Sequence, residues 1–438
     1  MKKILILASL VIASAVWAEN APDPMNPNDL VNPTSVIVDG PGIKVGEGTI
    51  IRPTVGLETG VVTNVFFEDT NATAAGLLRV LLEISTGTLP PARLGIHNAA
   101  ATNPTEQMAE AGMVQFLATA YASWDQYLST NDFVQAQGGL GGGALFKGVV
   151  NPRKPISFGF LEHFDRAIRA TNFESGNRTN RDVNRLSLQL NLRPRERNLG
   201  GYLYWTNLID HFEDENQQFA NRFQNTFGGR AEYQWLPLTR LYLESSIGVF
   251  TGLGDSSTKV NAFPLRVFTG IQTALTLNFT MTAQLGYTNG FYAEGSNYST
   301  VTGGVQAGYR YSPFGRVTAM YMYDHQDSIN ANFYRDHLLN FNIDHQFVPF
   351  AVNLGAELRF RHYGSTLVMG VDGSTSRDDV LGAVNVGARY MFRNWIAAVA
   401  SYQFAALQTD FRYDAGGGFI DNPSFLRHQL LTGVRVAY

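Results

Sequence analysis

From about residue 50 to the C-terminus the chain alternates apolar and polar residues, stretch after stretch, and this period of two restricts it to extended strands with two unlike faces. In "FAVNLGAELRFRHY" the apolar set is Phe350, Val352, Leu354, Ala356, Leu358 and Phe360, and Asn353, Gly355, Glu357, Arg359 and Arg361 fall between. "VTGGVQAGYRY" sets Val301, Val305, Ala307, Tyr309 and Tyr311 against Thr302, Gly304, Gln306 and Arg310. In "NRLSLQLNLR" four leucines, Leu186, Leu188, Leu190 and Leu192, alternate with Ser187, Gln189, Asn191 and Arg193.

Two kinds of connection separate these stretches and take turns along the chain. One is short, such as "LPLT", "YSPF", "FVPF" and "MFRN"; the other is long and polar, such as "HFEDENQQ", "GSNYST" and "DGSTSRDD". Aromatics crowd the short-turn ends: Trp235, Phe279, Phe314, Phe347, Phe350, Phe392 and Trp395. Long two-faced strands, connections sorted by parity and an aromatic girdle describe an all-β, transmembrane, antiparallel up-and-down β-barrel. A soluble sandwich has no reason to sort loop lengths by parity, and a propeller needs a repeat of ~40 residues that is absent. The count is about 18 strands, the first near 50–66 and the last near 424–438. Sixteen is the alternative if the weakly patterned stretches 74–87 and 113–150 are not strands. An even count puts both chain ends on the periplasmic side.

The N-terminus, "MKKILILASLVIASAVWA", has two lysines, an apolar core and small residues before Glu19, the pattern of a signal peptide cleaved after Ala18. Its removal takes Lys2 and Lys3 away, shifting the formal charge from −4 to −6. No apolar run after residue 18 is long enough for a membrane helix. The expected organisation is a signal peptide at 1–18, a Pro- and Asn-rich periplasmic leader at 19–49, and the barrel at 50–438. Residues 88–112, which do not alternate, are expected to form a periplasmic insertion. The chain has no cysteine, so disulfides are excluded. No basic cluster points to nucleic acid.

Motifs for chemistry are weak. "GGLGGGALFKG" (138–148) lacks the order of a phosphate loop and reads as strand glycines packed against aromatics. "YDHQDS" (323–328) offers Asp324, His325 and Ser328, but adjacent strand residues point to opposite faces, so no relay is expected; a hydrolase would depend on Ser328 or His325. The eight histidines show no metal-ligand spacing, and His325, His345, His362 and His428 fall on the apolar parity as interfacial polar tips. No cofactor, metal site or catalytic residue is indicated. The polar face is the better lead. Its clear positions carry Arg185, Arg193, Arg230, Arg310, Arg359, Arg361, Arg389, Arg427 and Arg435, against Glu232, Glu244, Asp324, Asp344 and Glu357. Such a lumen leans basic and suits an anionic or hydroxyl-rich solute, with Tyr242 and Tyr363 offering faces to sugar rings. Cross-strand pairing, as between Glu357 and Arg359, is the competing use of these charges.

The last strand ends on Leu430, Val434, Val436 and Tyr438. It resembles the aromatic terminal signal, here Val434, Val436 and Tyr438, by which the barrel-assembly machinery recognises outer-membrane barrels; Thr432 departs from it. The opening stretch "GPGIKVGEGTIIRPTVGLETGVVTNVFFEDTN" resembles the β-barrel porin-2 family of Gram-negative bacteria through Gly42, Val45, Gly46, Pro53, Val55, Gly56, Asn64, Val65 and Phe66. The size and layout are also similar to exopolysaccharide-export β-barrels. The resemblance implies an outer-membrane channel, not an enzyme, embedded in outer-membrane lipid and passing a secreted polysaccharide or similar polar solute. Periplasmic polysaccharide-export proteins are then the expected partners. A general diffusion porin and an adhesin or structural barrel are the alternatives.

Overall fold

The computed structural model describes residues 40–45, 49–88, 113–152, 154–169, 178–194, 198–414 and 420–438. The expected signal peptide and most of the leader and of the 88–112 insertion lie outside these residues. Eighteen strands run up and down in chain order. The first six are β1 (Thr49–Val62), β2 (Ala75–Gly87), β3 (Val114–Leu128), β4 (Gly139–Val150), β5 (Ile156–Arg169) and β6 (Arg178–Leu192). Next come β7 (Leu199–Phe212), β8 (Arg222–Leu236), β9 (Thr239–Gly252), β10 (Leu265–Ala274), β11 (Phe279–Asn289) and β12 (Ser299–Ser312). The last are β13 (Gly315–Asp327), β14 (Phe333–Phe347), β15 (Phe350–Tyr363), β16 (Arg377–Arg393), β17 (Ile396–Thr409) and β18 (Phe425–Ala437). The stretches 74–87 and 113–150 are strands, so the sixteen-strand alternative falls.

Each strand pairs antiparallel with the next, and β18 returns to β1, from Thr54 opposite Ala437 to Val62 opposite Gln429. The sheet therefore closes and has no free edge, which answers why the chain can finish on a strand. Pro53 fits this seam. Its carbonyl accepts the amide of Tyr438, and its missing N–H forgoes only the last bond of the β1–β18 ladder. The short segment Ile43–Val45 folds back on Thr49–Ile51, so the end of the leader is a hairpin arm rather than an extended one.

Prolines also set the tight periplasmic turns. Pro237, Pro313 and Pro349 each lie in a two-residue link, between β8 and β9, β12 and β13, and β14 and β15. The predicted girdle residues Trp235, Phe314, Phe347, Phe350, Phe392 and Trp395 stand exposed at this end, with Phe279 half-buried beside them.

Along β9 the outward side chains Leu243 and Ile247 are 56% and 52% exposed, while the intervening Glu244 and Ser246 are 8% and 6% exposed. Exposed apolar side chains recur with this alternation on sixteen of the eighteen strands, and on β10 and β17 the outward apolar residues are half-buried. In water they would form one continuous sticky belt, so this is a surface matched to hydrocarbon. No helix among the described residues is long and apolar enough to cross a membrane; the chain crosses with strands. Inside, two glycines accept rings. A Cβ on Gly143 would come within 2.8 Å of the Tyr121 hydroxyl, and one on Gly270 would overlap the Tyr242 ring. Each ring lies across the glycine of the neighbouring strand and shields its bare backbone.

Ile247 lies near the middle of β9. Ile247→Arg should cost about 2–4 kcal/mol in urea unfolding from lipid vesicles, because it sets a cation in hydrocarbon. Ser246→Asn, one residue away on the inner face, should cost less than half as much. Equal costs would contradict the assignment of faces.

Candidate functional site

The inner face carries ion pairs within strands, between neighbouring strands and, for Arg266 with Asp324, across three strands. Asp336 receives Arg361 at 2.9 and 3.0 Å and Arg359 at 3.3 Å, and Arg359 also bonds Glu357. Arg435 on β18 reaches Glu58 on β1 at 2.6 Å, tying the seam. Arg79 meets Asp125 through two bonds of 2.6 Å, and Arg377 meets Asp379 at 2.7 Å. Arg230 lies 3.0 Å from Glu232 and 3.7 Å from Glu244, and its guanidinium sits 3.7 Å above the Tyr242 ring. Arg266 bonds Asp324.

This pairing revises the expectation of a basic lumen. Of the expected set, Arg230, Arg359, Arg361, Arg435, Glu232, Glu244, Asp324 and Glu357 are committed to ion pairs. Arg427 donates to Gln429 at 3.1 Å and lies 4.5 Å from the Phe67 ring. Arg185 and Arg389 are half-buried on the inner face. The sequence reading missed Glu58, Arg79, Asp125, Asp210, Arg266, Asp336, Arg377 and Asp379. Their parity was legible, but it was read only on the cleanest strands, and the omission left out more carboxylates than it should have. The two inward tyrosines are not free platforms either. Tyr242 is covered by Arg230, and Tyr363, fully buried, has Arg377 at 5.1 Å and Tyr334 at 5.7 Å.

At the extracellular mouth several loops are linked to one another. The Lys259 ammonium donates to the carbonyls of Ser328, Ile329 and Ala331, the last at 3.2 Å. Ile329 packs with Phe212, Ala220 and Phe219, so the β13–β14 loop meets the end of β7 and the short 3-10 helix Glu215–Ala220. Below them Asp210 takes Arg181 at 2.5 Å and Arg222 at 2.7 Å, and Arg222 also pairs with Asp327. Strands β8 and β13 are five apart in the wall, so the Arg222–Asp327 contact draws the β13 end inward. Tyr292 in the neighbouring loop donates to the Asn332 carbonyl at 2.9 Å, and burial pushes its phenol well above the ordinary value.

The periplasmic mouth differs. Arg310 and Arg316 occupy directly opposite positions on β12 and β13, with no carboxylate in ion-pairing distance of either among the described residues. Like charges face to face on one sheet repel. Asp344 lies opposite Arg316 on β14, beyond ion-pairing distance but near enough for its charge to act on the guanidinium. Arg52, and Arg193 just past the end of β6, stand at the same end and also form no ion pair among the described residues. Among the described residues, Arg52, Arg193, Arg310 and Arg316 thus gather at one mouth without an ion pair.

The remaining candidate motifs have structural occupations. Ser328 accepts the amides of Asn330 and Ala331 in its turn, at 3.1 and 3.0 Å. His325 is buried, stacked on Tyr298 at 4.3 Å, so it is not the interfacial tip expected of it. His345 and His428 do face outward, each within 2.9 Å of a tyrosine hydroxyl, Tyr311 and Tyr402. Residues 138–148 lie in β4 and its preceding turn. Leu430, Val434 and Val436 face outward on β18, and Tyr438 is 63% exposed beyond it. No group of His, Cys, Asp and Glu among the described residues could hold a metal ion.

No family model and no curated protein matches the chain. Among solved structures it is similar to OpdK of Pseudomonas aeruginosa crystallised with vanillate, at 11% identity and TM-score 0.45, over 89% of this chain and 99% of that one. It is also similar to OccAB4 of Acinetobacter baumannii, at 11% identity and TM-score 0.42, over 89% and 98%. The FrpB iron transporter of Neisseria meningitidis stands at 9% identity and TM-score 0.43, over 90% and 82%.

Asp336 is the carboxylate shared by two arginines. Asp336→Asn should destabilise the barrel by about 3 kcal/mol, since two buried guanidinium groups lose their counter-charge. The urea midpoint in vesicles measures this; a loss under about 1 kcal/mol would show that lumen water already screens the cluster.

Proposed function

We propose that this chain is an outer-membrane diffusion channel for small hydrophilic solutes, with a preference for anions. The observation that carries the proposal is the charge asymmetry of the inner face. The extracellular half and the middle hold arginines neutralised by carboxylates, whereas Arg310 and Arg316 at the periplasmic mouth face one another with no carboxylate in ion-pairing distance among the described residues and only Asp344, opposite Arg316, to offset their two charges. Unpaired guanidinium groups at a mouth raise the local concentration of anions and lower the barrier to their passage. An 18-strand wall is roughly 35 Å across between backbones, from a strand spacing of ~4.8 Å and a tilt of ~40°, so inward side chains do not span it. No covalent chemistry is needed.

Within this reading the chain is exported by residues 1–18, and the Val434, Val436 and Tyr438 end is read by the barrel-assembly machinery. Outer-membrane lipid covers the belt that includes Leu243 and Ile247. Membership of the porin-2 family stays with the proposal, resting on the β1 motif through Pro53, Gly56 and Asn64. Export of a polysaccharide, and with it the periplasmic export partners, rested on the resemblance and gains nothing from the inner face, where Tyr242 and Tyr363 present no free ring face to a sugar.

Reconstituted in a planar bilayer under a KCl gradient, the protein should conduct steadily with a reversal potential displaced toward that of chloride. Arg310→Glu together with Arg316→Glu should move the reversal potential toward that of potassium by about 10 mV or more, with the conductance changing less than threefold. A cation-preferring wild type, or an unmoved reversal potential in the double variant, would count against the reading.

A further inference from the structure

On the outer wall, near the extracellular end of β13–β17, a crevice of about 670 Å³ interrupts the apolar belt. Its side chains lie in layers across four strands. The upper layer runs Arg335, His362, Asp378 in direct cross-strand succession, and one step toward the membrane centre lie Tyr323, His337, Phe360 and Val380. A further step down, just below the crevice, Leu339, Leu358, Gly382 and Ala406 follow each other across β14 to β17. A Cβ on Gly382 would meet open space, so the small pair Gly382 and Ala406 leaves a notch beside Leu358. The sequence of layers, charged, then aromatic, then a smooth apolar notch, matches the profile of an amphiphile standing in one leaflet.

The polar layer offers a phosphate one cation, Arg335, beside the carboxylates of Asp378 and Asp410. Arg335 is exposed and has no carboxylate in ion-pairing distance among the described residues. The Tyr321 hydroxyl lies 2.9 Å from His337 Nδ1. With that hydroxyl donating, the proton of His337 sits on Nε2, where it is available to an acceptor. Asp378 is already engaged by His362 Nδ1 at 2.6 Å, and Asp410 lies at the far rim on the β17 side, three strands from Arg335. An arginine at the level of the headgroups, above a notch for a chain, is the chemistry of anionic-lipid recognition.

We propose that this crevice binds one phosphate-bearing lipid of the outer leaflet, its phosphate on Arg335 and His337 and an acyl chain in the notch at Gly382. The inference rests on the membrane placement given above but not on conduction. The full-length barrel in non-ionic detergent is titrated with dioleoyl phosphatidate and, separately, with dioleoylglycerol, and bound lipid is counted by native mass spectrometry. One phosphatidate should bind at least about tenfold more tightly than the diacylglycerol, the size of one charge-assisted contact. Arg335→Gln, checked for an unchanged heat-modifiable fold, should abolish that difference, and Gly382→Leu should weaken both lipids. Equal binding of the two lipids, or wild-type phosphatidate binding in either variant, would overturn the site. A barrel that binds phosphatidate yet conducts no ions leaves the site standing and removes the channel.

Discussion

In hydrocarbon a peptide N–H or C=O without a partner costs several kcal/mol, and every feature of this chain is subordinate to that penalty. A sheet meets it only by closing. Here closure falls between β1 and β18, residues from opposite ends of the chain, and the carboxylate of Glu58 under Arg435 fixes their register on the inner face. Once the wall is closed, alternate side chains have no choice of environment. One set meets lipid and is apolar; the other meets the lumen and must satisfy itself with water or with neighbouring strands.

The second set explains the abundance of paired arginines. A guanidinium on one strand reaches a carboxylate on the next or the same strand, as Arg181 with Asp210 and Arg361 with Asp336 do, and its fixed fork holds the local register. Such pairs add little field to the pore, because each cation carries its counter-charge within about 3 Å. Among the described residues the cations without an ion pair, Arg310 and Arg316 among them, sit at the mouth with the short turns, where Asp344 offsets part of their charge. The extracellular mouth is arranged differently, with Lys259 and Arg222 tying loops together through carbonyls and Asp327.

Much of this was legible in the sequence, and the limits have physical causes. Period-two patterning, parity of loop lengths and the girdle from Trp235 to Trp395 pointed to the barrel, since each depends on local sequence. Which side chain faces the lumen follows from parity, and Arg359, Glu357 and Asp324 were found that way. Partners do not follow, because cross-strand pairing depends on register. Glu58 and Arg435 are 377 residues apart, and no local signal joins them. The fold of the polar loops, and the burial of His325 beneath Tyr298, depend on tertiary contacts that alternation does not encode.

The absence of native cysteine permits a direct test of the central claim, a wet inner face and a lipid-facing outer one. Single cysteines placed in turn along β9 from residue 242 to 249, in the protein folded in lipid vesicles, are challenged with a membrane-impermeant thiol reagent. The account predicts labelling at the even positions and protection at the odd ones. Uniform labelling, or labelling of the odd positions alone, would contradict it.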